Sequence, residues 1–307
     1  MSGTNTKVAS LREYIGAIEA AYCEWDAFDR TTGLWFRGQA DQSWGLVPGL
    51  YRRGSRVRAE FERELTRDFR LRSGAYISRP PTQGLEWLFV MQHYGMPTRL
   101  LDWTEAHLCA LYFAVSTACT VTAEGAVWVL DPWSLNLNVI GVSSVPLADD
   151  ELLADYSLES GGAYVVRKVK AQKPAAVRPH GTTPRIIAQK GTFTIHGNLH
   201  TGLDSIASRI KRKTPDRRIR VRKIVIDGLS KQRLLKDLYW AGVTEAVLFP
   251  DLVGLCGEIS YRYSDEHLGC KPQVRRVPRL TRPRRKDNDW ISRPSRPRRS
   301  SRSRRSG

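Results

Sequence analysis

Two stretches of concentrated positive charge divide this chain and limit how much of it can enter a folded core. Residues 271–307 hold 15 Lys or Arg and two acids among many Pro and Ser. Such a segment cannot bury enough apolar surface to offset the entropy lost when a chain becomes ordered. The sequence therefore predicts a disordered Arg/Pro/Ser-rich tail over residues 272–307 and a folded body before it.

The second basic stretch lies inside the body. Residues 1–270 carry 34 basic and 29 acidic side chains, and nine of those bases with one acid fall in residues 208–223. Positive charge held in two segments indicates a polyanion such as nucleic acid as a partner. The candidate nucleic-acid-binding residues are Arg209, Lys211, Arg212, Arg217 and Arg218 in the body and Arg284, Arg285, Arg298 and Arg299 in the tail.

The distribution of apolar residues and cysteines indicates where in the cell the protein is located. No apolar run approaches the roughly 20 residues that span a bilayer, and the first residues lack the pattern of a secretory signal. The five cysteines are scattered and odd in number, so we expect reduced, buried thiols rather than a disulfide framework. These features predict a cytoplasmic protein with no membrane partner.

Hydrophobic periodicity predicts helices early in the chain and strands later. Helical spacing favours helices at 10–29, 57–72, 84–94, about 103–119 and 230–240. Alternating or β-branched runs favour strands at 34–40, 126–132, 163–169, 185–197, 221–227 and 246–250. Because strands and helices do not alternate regularly, the pattern indicates an α+β fold, with a helical N-terminal half packed on a mixed, strand-rich C-terminal half.

The search for familiar catalytic motifs excludes several classes of enzyme. The chain has no phosphate-binding P-loop, no GxGxxG after a strand and no GxSxG elbow. His196 and His200 have a spacing that would suit a metal only on a helix face, but they lie around a Gly-Asn turn. The sequence therefore predicts no metal site.

A first polar cluster, Phe36-Arg37-Gly38-Gln39, falls on the predicted strand 34–40. Arg37 would lie on the opposite face from Phe36 because side chains alternate along a strand. Gly38 would let a ligand or another backbone approach closely. The cluster could be one wall of a site or an arginine exposed on an edge strand.

The second polar cluster runs from His93 to Trp103 and precedes a long apolar helix. Asp102 is expected to cap that helix, with Glu105 at its third position. Arg99 beside a helix N-terminus would favour an anion. We therefore expect Arg99, with His93 and Tyr94, to face Arg37 and Gln39 across one pocket.

The two clusters carry a family resemblance. Phe36-Arg37-Gly38-Gln39, the run from His93 to Thr104 and the segment 110–114 resemble the FRG domain, a bacterial and phage family that takes its name from the Phe-Arg-Gly motif. The segments 126–131, 189–194 and 248–252 are similar to the later family pattern. The resemblance implies an FRG-like domain at 30–255, after an N-terminal helix at 1–29 and before an extension at 256–271. It implies no particular activity.

The first hypothesis for function is an enzyme that acts on a nucleotide-like substrate. An early-strand arginine, aromatic residues and Gln189 beside Gly191 resemble an ADP-ribosyltransferase site, although no Glu-x-Glu or Gln-x-Glu lies near Gln189. The cofactor stays unknown, with NAD as a possible substrate. The candidate catalytic residues are Arg37, Gln39, Arg99 and Gln189, and the candidate ligand contacts are Phe36, Gly38, His93, Tyr94, Thr98 and Trp103.

Two alternatives stay open at this point. The chain could be a nucleic-acid-binding protein without catalysis, using its basic tail with strongly salt-dependent affinity. It could also be a ligand-sensing module in phage–host conflict, which binds a small molecule in the same pocket without converting it.

Overall fold

One seven-stranded sheet organises the part of the chain that the computed structural model describes, which is residues 6–28, 30, 33–53, 59–77, 80–82, 84–116, 123–157, 171–180, 183–213 and 218–264. The strands, numbered along the chain, are β1 (Thr6–Val8), β2 (Trp35–Gln39), β3 (Leu100–Thr104), β4 (Gly125–Leu130), β5 (Ala175–Val177), β6 (Gly191–Ile195) and β7 (Val221–Ile226).

Helices from both halves of the chain surround this sheet. They are α1 (Leu11–Trp25), α2 (Ala59–Ser73), α3 (Gly84–His93), α4 (His107–Val115), α5 (Pro132–Val139), α6 (Pro184–Ala188), α7 (Leu203–Lys213), α8 (Lys231–Trp240), α9 (Glu245–Leu248) and α10 (Leu252–Arg262). Short 3₁₀ turns lie at Tyr51–Arg53 and Glu151–Tyr156.

The strand order in the sheet is β1-β7-β4-β2-β3-β6-β5. β1 pairs with β7 in parallel, and every other neighbouring pair of described strands is antiparallel. Consecutive strands are often not neighbours, so the chain crosses the sheet repeatedly. As a result, β2 and β3 lie side by side at its centre although about 60 residues separate them in the sequence.

Alternating side chains send the two faces of the sheet into different cores. On one face Phe36, Val129 and Ile224 pack with apolar residues of α1, α4 and α8. On the other face Trp35 and Trp128 pack with residues of α7. A third core joins α3 to β6 and β5. Both faces of the central strands are buried, which accounts for the strongly apolar composition of β4.

The α+β prediction is confirmed by this mixed sheet and its helices. The sheet is nevertheless assembled from both halves of the chain, since β1–β4 end by residue 130 and β5–β7 follow. Helices predicted at 10–29, 57–72, 84–94 and 230–240 correspond to α1, α2, α3 and α8. The predicted disordered tail at 272–307 and the predicted strand at 163–169 lie outside the described residues.

Two predicted strands are wrong in part because short apolar runs do not distinguish a strand from a helix. Within 185–197, residues 184–188 form α6, and β6 begins at Gly191. Thr183 accepts a hydrogen bond from the Ile186 backbone, and Pro184 follows it at the first helical position, a pattern typical of a helix start. Likewise 246–250 falls largely in α9, which Thr244 caps.

The start of α1 follows its sequence signal. Ser10 Oγ accepts a hydrogen bond from the backbone of Glu13, and Glu13 Oε2 accepts one from the backbone of Ala9. The cysteine prediction is wrong in one respect, because Cys23 and Cys256 are exposed and Cys109 is buried. Among the described residues, no helix is long and apolar enough to cross a membrane.

Candidate functional site

A gap opens in the sheet between β2 and β3. The two strands pair at Phe36 and Thr104, whereas β2 pairs with β4 along five residues and β3 pairs with β6 along five residues. Because β2 and β3 are antiparallel, the end of β2 lies across the gap from the start of β3. A cleft with a volume of about 350 Å³ lies here.

Arg37 joins the two strands across this gap. Its Nη1 donates a hydrogen bond of 2.7 Å to the backbone oxygen of Asp102 and lies 3.5 Å from Asp102 Oδ2. Burial lowers the pKa of the Arg37 guanidinium, whereas the Asp102 carboxylate raises it. An arginine pKa is high enough in water that the group keeps its charge here. Arg37 is therefore a fixed positive charge in the cleft wall.

Asp102 lies in the middle of β3 and not at the start of a helix. The predicted capping role is wrong because the strand continues to Thr104, and α4 begins at His107 after an N-cap residue, Ala106, that makes no side-chain capping bond. Asp102 instead accepts hydrogen bonds of 3.0 and 3.2 Å from Gln92 Nε2, and its side chain is 52% exposed. Its carboxylate thus borders the cleft and is open to solvent.

Gly38 is required by packing rather than by a ligand. A Cβ atom built on Gly38 would lie 1.8 Å from the backbone oxygen of Ala110 and 2.8 Å from the backbone nitrogen of Ala114. Both contacts belong to α4, which packs directly on β2. Of the two roles that the sequence allowed for this glycine, the structure assigns it the close approach of another backbone, although Gly38 also borders the cleft.

The cleft combines positive charge, amides and aromatic rings. Its charged lining residues are three arginines and one carboxylate: Arg37, Arg52, Arg185 and Asp102. The carboxamides in the lining are Gln39, Gln92 and Gln189, and the aromatic residues are Phe36, Trp44, Phe89, Trp103, Phe113 and Phe193. His93 also lines the cleft, and burial together with the charge of Arg185 lowers its pKa. The cleft is therefore electropositive at neutral pH.

The two predicted glutamines reach the cleft but are held by the fold. Gln39 is buried, accepts a hydrogen bond of 2.8 Å from Trp128 Nε1 and donates one of 3.3 Å to the Gly45 backbone oxygen. Gln189 follows α6 directly, not on a strand as predicted, and donates from Nε2 to the Leu248 backbone oxygen at 3.0 Å. Both amides are fixed in orientation before any ligand arrives.

Arg99 does not line the cleft, so the prediction that it converges there with Arg37 is wrong. Its side chain is 1% exposed, and Nε lies 3.1 Å from Glu62 Oε1 on α2. Its Nη2 donates a hydrogen bond of 2.5 Å to the Tyr156 backbone oxygen. The guanidinium is enclosed by protein on all sides and is a structural group.

Two further predicted contacts also lie outside the cleft lining. Thr98 is fully buried and donates from Oγ1 to Gln92 Oε1 at 2.6 Å, which orients the amide that in turn holds Asp102. Tyr94 is 69% exposed in the turn that follows α3 and is not in the cleft lining. By contrast, the structure brings seven predicted residues together around the cleft: Phe36, Arg37, Gly38, Gln39, His93, Trp103 and Gln189.

Several residues of the cleft were not predicted from the sequence, among them Gln92, Trp44, Arg52 and Arg185. Gln92 stands one residue before the motif that begins at His93, so extending that motif into the last turn of α3 would have found it. Trp44 follows β2, Arg52 lies in the 3₁₀ turn Tyr51–Arg53, and Arg185 lies on α6. These three come from distant segments and carry no local pattern that marks them.

The predicted nucleic-acid residues are only partly described. Arg209 on α7 and Arg218 before β7 are exposed, and Lys211 and Arg212 belong to α7. Arg217 and the four tail arginines, Arg284, Arg285, Arg298 and Arg299, lie outside the described residues. Their binding to nucleic acid stays a prediction.

Metal ligands do not cluster in the described part of the chain. No group of three His, Cys, Asp or Glu side chains there could hold a metal ion. His196 is fully buried, and burial together with the charge of Arg37 lowers its pKa to about 3. His200 stacks on Tyr51 at a ring distance of 4.3 Å.

Comparison with known proteins identifies one region of the chain. Residues 32–122 match the family model described as the FRG domain. This match includes β2, β3 and the cleft residues that they carry. No curated protein and no solved structure matches the chain.

Proposed function

We propose, on the premise that residues 32–122 are an FRG domain, that the cleft between β2 and β3 binds a nucleotide-like ligand, with NAD as the candidate substrate for ADP-ribosyl transfer in the cytoplasm. The observation that carries this proposal is the joint presence of three arginines, several aromatic rings and one carboxylate in one cleft. The extent of the FRG-like domain to residue 255 stays a prediction beyond the matched segment.

Charge favours an anionic ligand. Three guanidinium groups and one carboxylate border the cleft, and the lowered pKa of His93 keeps that ring neutral at pH 7. Arginine is well suited to phosphate because its planar fork of donors matches phosphate oxygens. Arg52 and Arg185 come from separate segments of the chain, so they can contact a diphosphate at more than one point.

Size and aromatic content favour a nucleotide over inorganic phosphate. The volume of about 350 Å³ falls within the range of about 300–1,000 Å³ typical of small-molecule sites. The exposed indole of Trp44 and the half-buried ring of Phe113 supply flat apolar surface on which a base can pack. A bare phosphate would use none of these rings.

Asp102 provides the carboxylate that the sequence lacked near Gln189. In ADP-ribosyl transfer the bond from ribose C1′ to the nicotinamide nitrogen breaks, nicotinamide leaves with the electron pair, and an acceptor attacks C1′ and loses a proton. A carboxylate can accept a hydrogen bond from a ribose hydroxyl and stabilise positive charge developing at C1′. Asp102 is half exposed and is oriented by Gln92 and Arg37, so we assign it this role in the cleft.

The test uses the purified full chain with Arg37→Ala, Asp102→Asn and the matched control Tyr94→Ala, each checked for an unchanged fold. Each protein is titrated with NAD by calorimetry to measure binding and is then incubated with NAD and a cell lysate, and nicotinamide and ADP-ribosylated products are measured by mass spectrometry. We expect Arg37→Ala to weaken NAD binding about 10- to 100-fold through loss of a charged hydrogen bond. Asp102→Asn should lower turnover about 100-fold or more. Tyr94→Ala should change neither NAD binding nor turnover.

Other outcomes of the same experiment separate the alternatives. Saturable NAD binding without product would favour the ligand-sensing hypothesis, in which the FRG domain of a bacterial or phage protein reports on a nucleotide. If the protein neither binds NAD nor converts it, NAD is removed from the proposal. The alternative of a non-catalytic nucleic-acid-binding protein that uses its basic tail depends on residues 272–307 and stays a prediction.

A further inference from the structure

We propose that a second site, separate from the cleft, binds single-stranded nucleic acid. It is a groove with a volume of about 950 Å³ between α5, the residues 218–220 that lead into β7, and Arg30 before β2. We call it the α5 groove. Among the described residues, none lines both this groove and the cleft.

The α5 groove carries an excess of positive charge. Arg30 and Arg220 share a single carboxylate, that of buried Asp131, at 3.0 and 3.3 Å. Both also donate to the Trp25 backbone oxygen, at 2.6 and 3.0 Å. A guanidinium has five N–H donors, so each arginine keeps donors for a phosphate. One carboxylate between two arginines leaves a net positive charge, to which exposed Arg218 adds another.

Glu24 on α1, an acid outside the described lining of the groove, does not cancel this charge. The field of Arg218 reaches Glu24 on α1 and contributes to the lowering of its pKa, but the first cause of that lowering is the bond between Glu24 and Arg222. Glu24 is thus already paired. The α5 groove is therefore available to an anion from solution.

The uncharged surface of the α5 groove favours a ligand with nucleic-acid bases over inorganic phosphate. The guanidinium of Arg30 lies 5.3 Å from the ring centroid of Trp133, so an arginine plane and an indole meet in the groove wall. Leu137 is exposed beside them, and the Trp133 Nε1 donor is buried without a hydrogen-bond partner in the described residues. Aromatic and guanidinium planes are the surfaces on which unstacked bases pack in single-stranded complexes.

Helix α7 shares a buried core with the residues that lead into β7. Ile206 and Ala207 of α7 pack in the same core as Ile219, which lies between Arg218 and Arg220. The basic segment 208–223 of the sequence thus includes the exposed Arg209 on α7 and the groove residues Arg218 and Arg220. A duplex, with its bases stacked inside, would use the charge but not Trp133.

The first experiment measures affinity with the full chain. Fluorescently labelled 12-nucleotide DNA and RNA of one sequence are titrated across a salt series by anisotropy, using wild type, Arg218→Glu and the matched control Arg12→Glu. Arg12 is exposed on the first turn of α1, about 20 Å by helix rise from Trp25 at the groove end of that helix. We expect Arg218→Glu to bind roughly three- to tenfold more weakly with a salt slope shallower by about 1, and Arg12→Glu to match wild type.

The second experiment separates the groove from the basic tail. The same oligonucleotides carrying 5-iodouracil are crosslinked to the full chain, and modified peptides are mapped by mass spectrometry. Crosslinks on the peptide that contains Trp133, lost in Trp133→Ala, would support the proposal, and the stronger of the DNA and RNA signals would identify the ligand. The proposal is overturned if crosslinks fall only within residues 271–307 and Arg218→Glu binds like Arg12→Glu. Equal competition by a duplex would also overturn it.

Discussion

Two arginine–carboxylate pairs, one at the middle of β3 and one just before its start, use the same chemistry for different purposes. Arg37 and Asp102 meet across the gap in the sheet, with side chains 15% and 52% exposed. Arg99 and Glu62 meet beneath α2, with side chains 1% and 7% exposed. The first pair is loose, at 3.5 Å, and faces the cleft, whereas the second is closer, at 3.1 Å, and is enclosed.

The comparison shows that an arginine beside a carboxylate is not by itself a sign of a binding site. A half-exposed carboxylate keeps solvent on one side, so a ligand can replace that solvent. An enclosed pair has already exchanged its water for protein, and its attraction mainly offsets the cost of burying both charges. Solvent exposure, more than residue type, therefore separates the candidate site from the structural pair.

The largest expected effect comes from breaking the enclosed pair. Arg99→Met leaves the buried Glu62 carboxylate without its arginine partner, and we expect a loss of about 3–5 kcal/mol in the free energy of unfolding. Urea denaturation followed by circular dichroism measures this loss. Arg37→Met should cost only about 1–2 kcal/mol, because Asp102 can be solvated and one hydrogen bond to its backbone is lost.

A double variant provides the control for this prediction. Arg99→Met with Glu62→Leu removes both charges and should recover most of the lost stability, since an apolar pair of similar volume avoids the cost of desolvation. Equal losses in Arg99→Met and Arg37→Met would contradict the distinction between the two pairs.

A second, smaller effect is expected at Gly38, which lies on the cleft but serves the packing of α4. In Gly38→Ala the new methyl group would meet the Ala110 backbone oxygen at 1.8 Å, so helix and strand must separate. We expect a loss of about 2–3 kcal/mol, at the upper part of the range for overpacked cores. Thermal and urea unfolding measure it, and Gly16→Ala, at an open position on α1, is the matched control. A Gly38→Ala protein as stable as wild type would show that α4 can move freely.

The third prediction concerns His196, which links the two regions. Its backbone nitrogen donates to the Arg99 backbone oxygen at 3.0 Å, and burial with the nearby charge of Arg37 lowers its pKa to about 3. The unfolded chain, with a histidine pKa of about 6.5, binds a proton at pH 5 that the folded protein does not. The contribution of His196 to the free energy of unfolding is therefore fully present above pH 6.5 and is lost as the pH falls toward 3. The loss between pH 7 and pH 5 is about 2 kcal/mol.

Urea titrations at pH 7, 6 and 5 test this prediction by comparing wild type with His196→Gln. The variant lacks the titrating ring, so its stability should decline less steeply over this interval by about 2 kcal/mol. The comparison cancels the contributions of the other histidines and of the carboxylates. Parallel declines in the two proteins would mean that His196 takes up a proton in the folded state as easily as in the unfolded chain.

Local signals explain which elements could be predicted from sequence. Ser10 with Glu13 marks the start of α1, because capping depends on residues within one turn. β2, β4 and β7 follow their apolar patterns for the same reason. β3 was missed because Asp102 before an apolar run has the same local pattern as a helix cap, and only its pairing with β6 makes it a strand.

What the sequence by itself determined was the family match at 32–122, the α+β class and the two segments that supply Arg37 and His93. What only the tertiary structure decided was which of their side chains share a cleft. Arg99 and Asp102 are three residues apart, yet the first is buried against Glu62 of α2 and the second borders the cleft, because Arg99 precedes β3 whereas Asp102 lies within the strand beside the gap. Arg185 and Arg52 join the cleft only through the crossing of distant segments. Burial and long-range strand pairing depend on the whole chain, so no short stretch of sequence determines them.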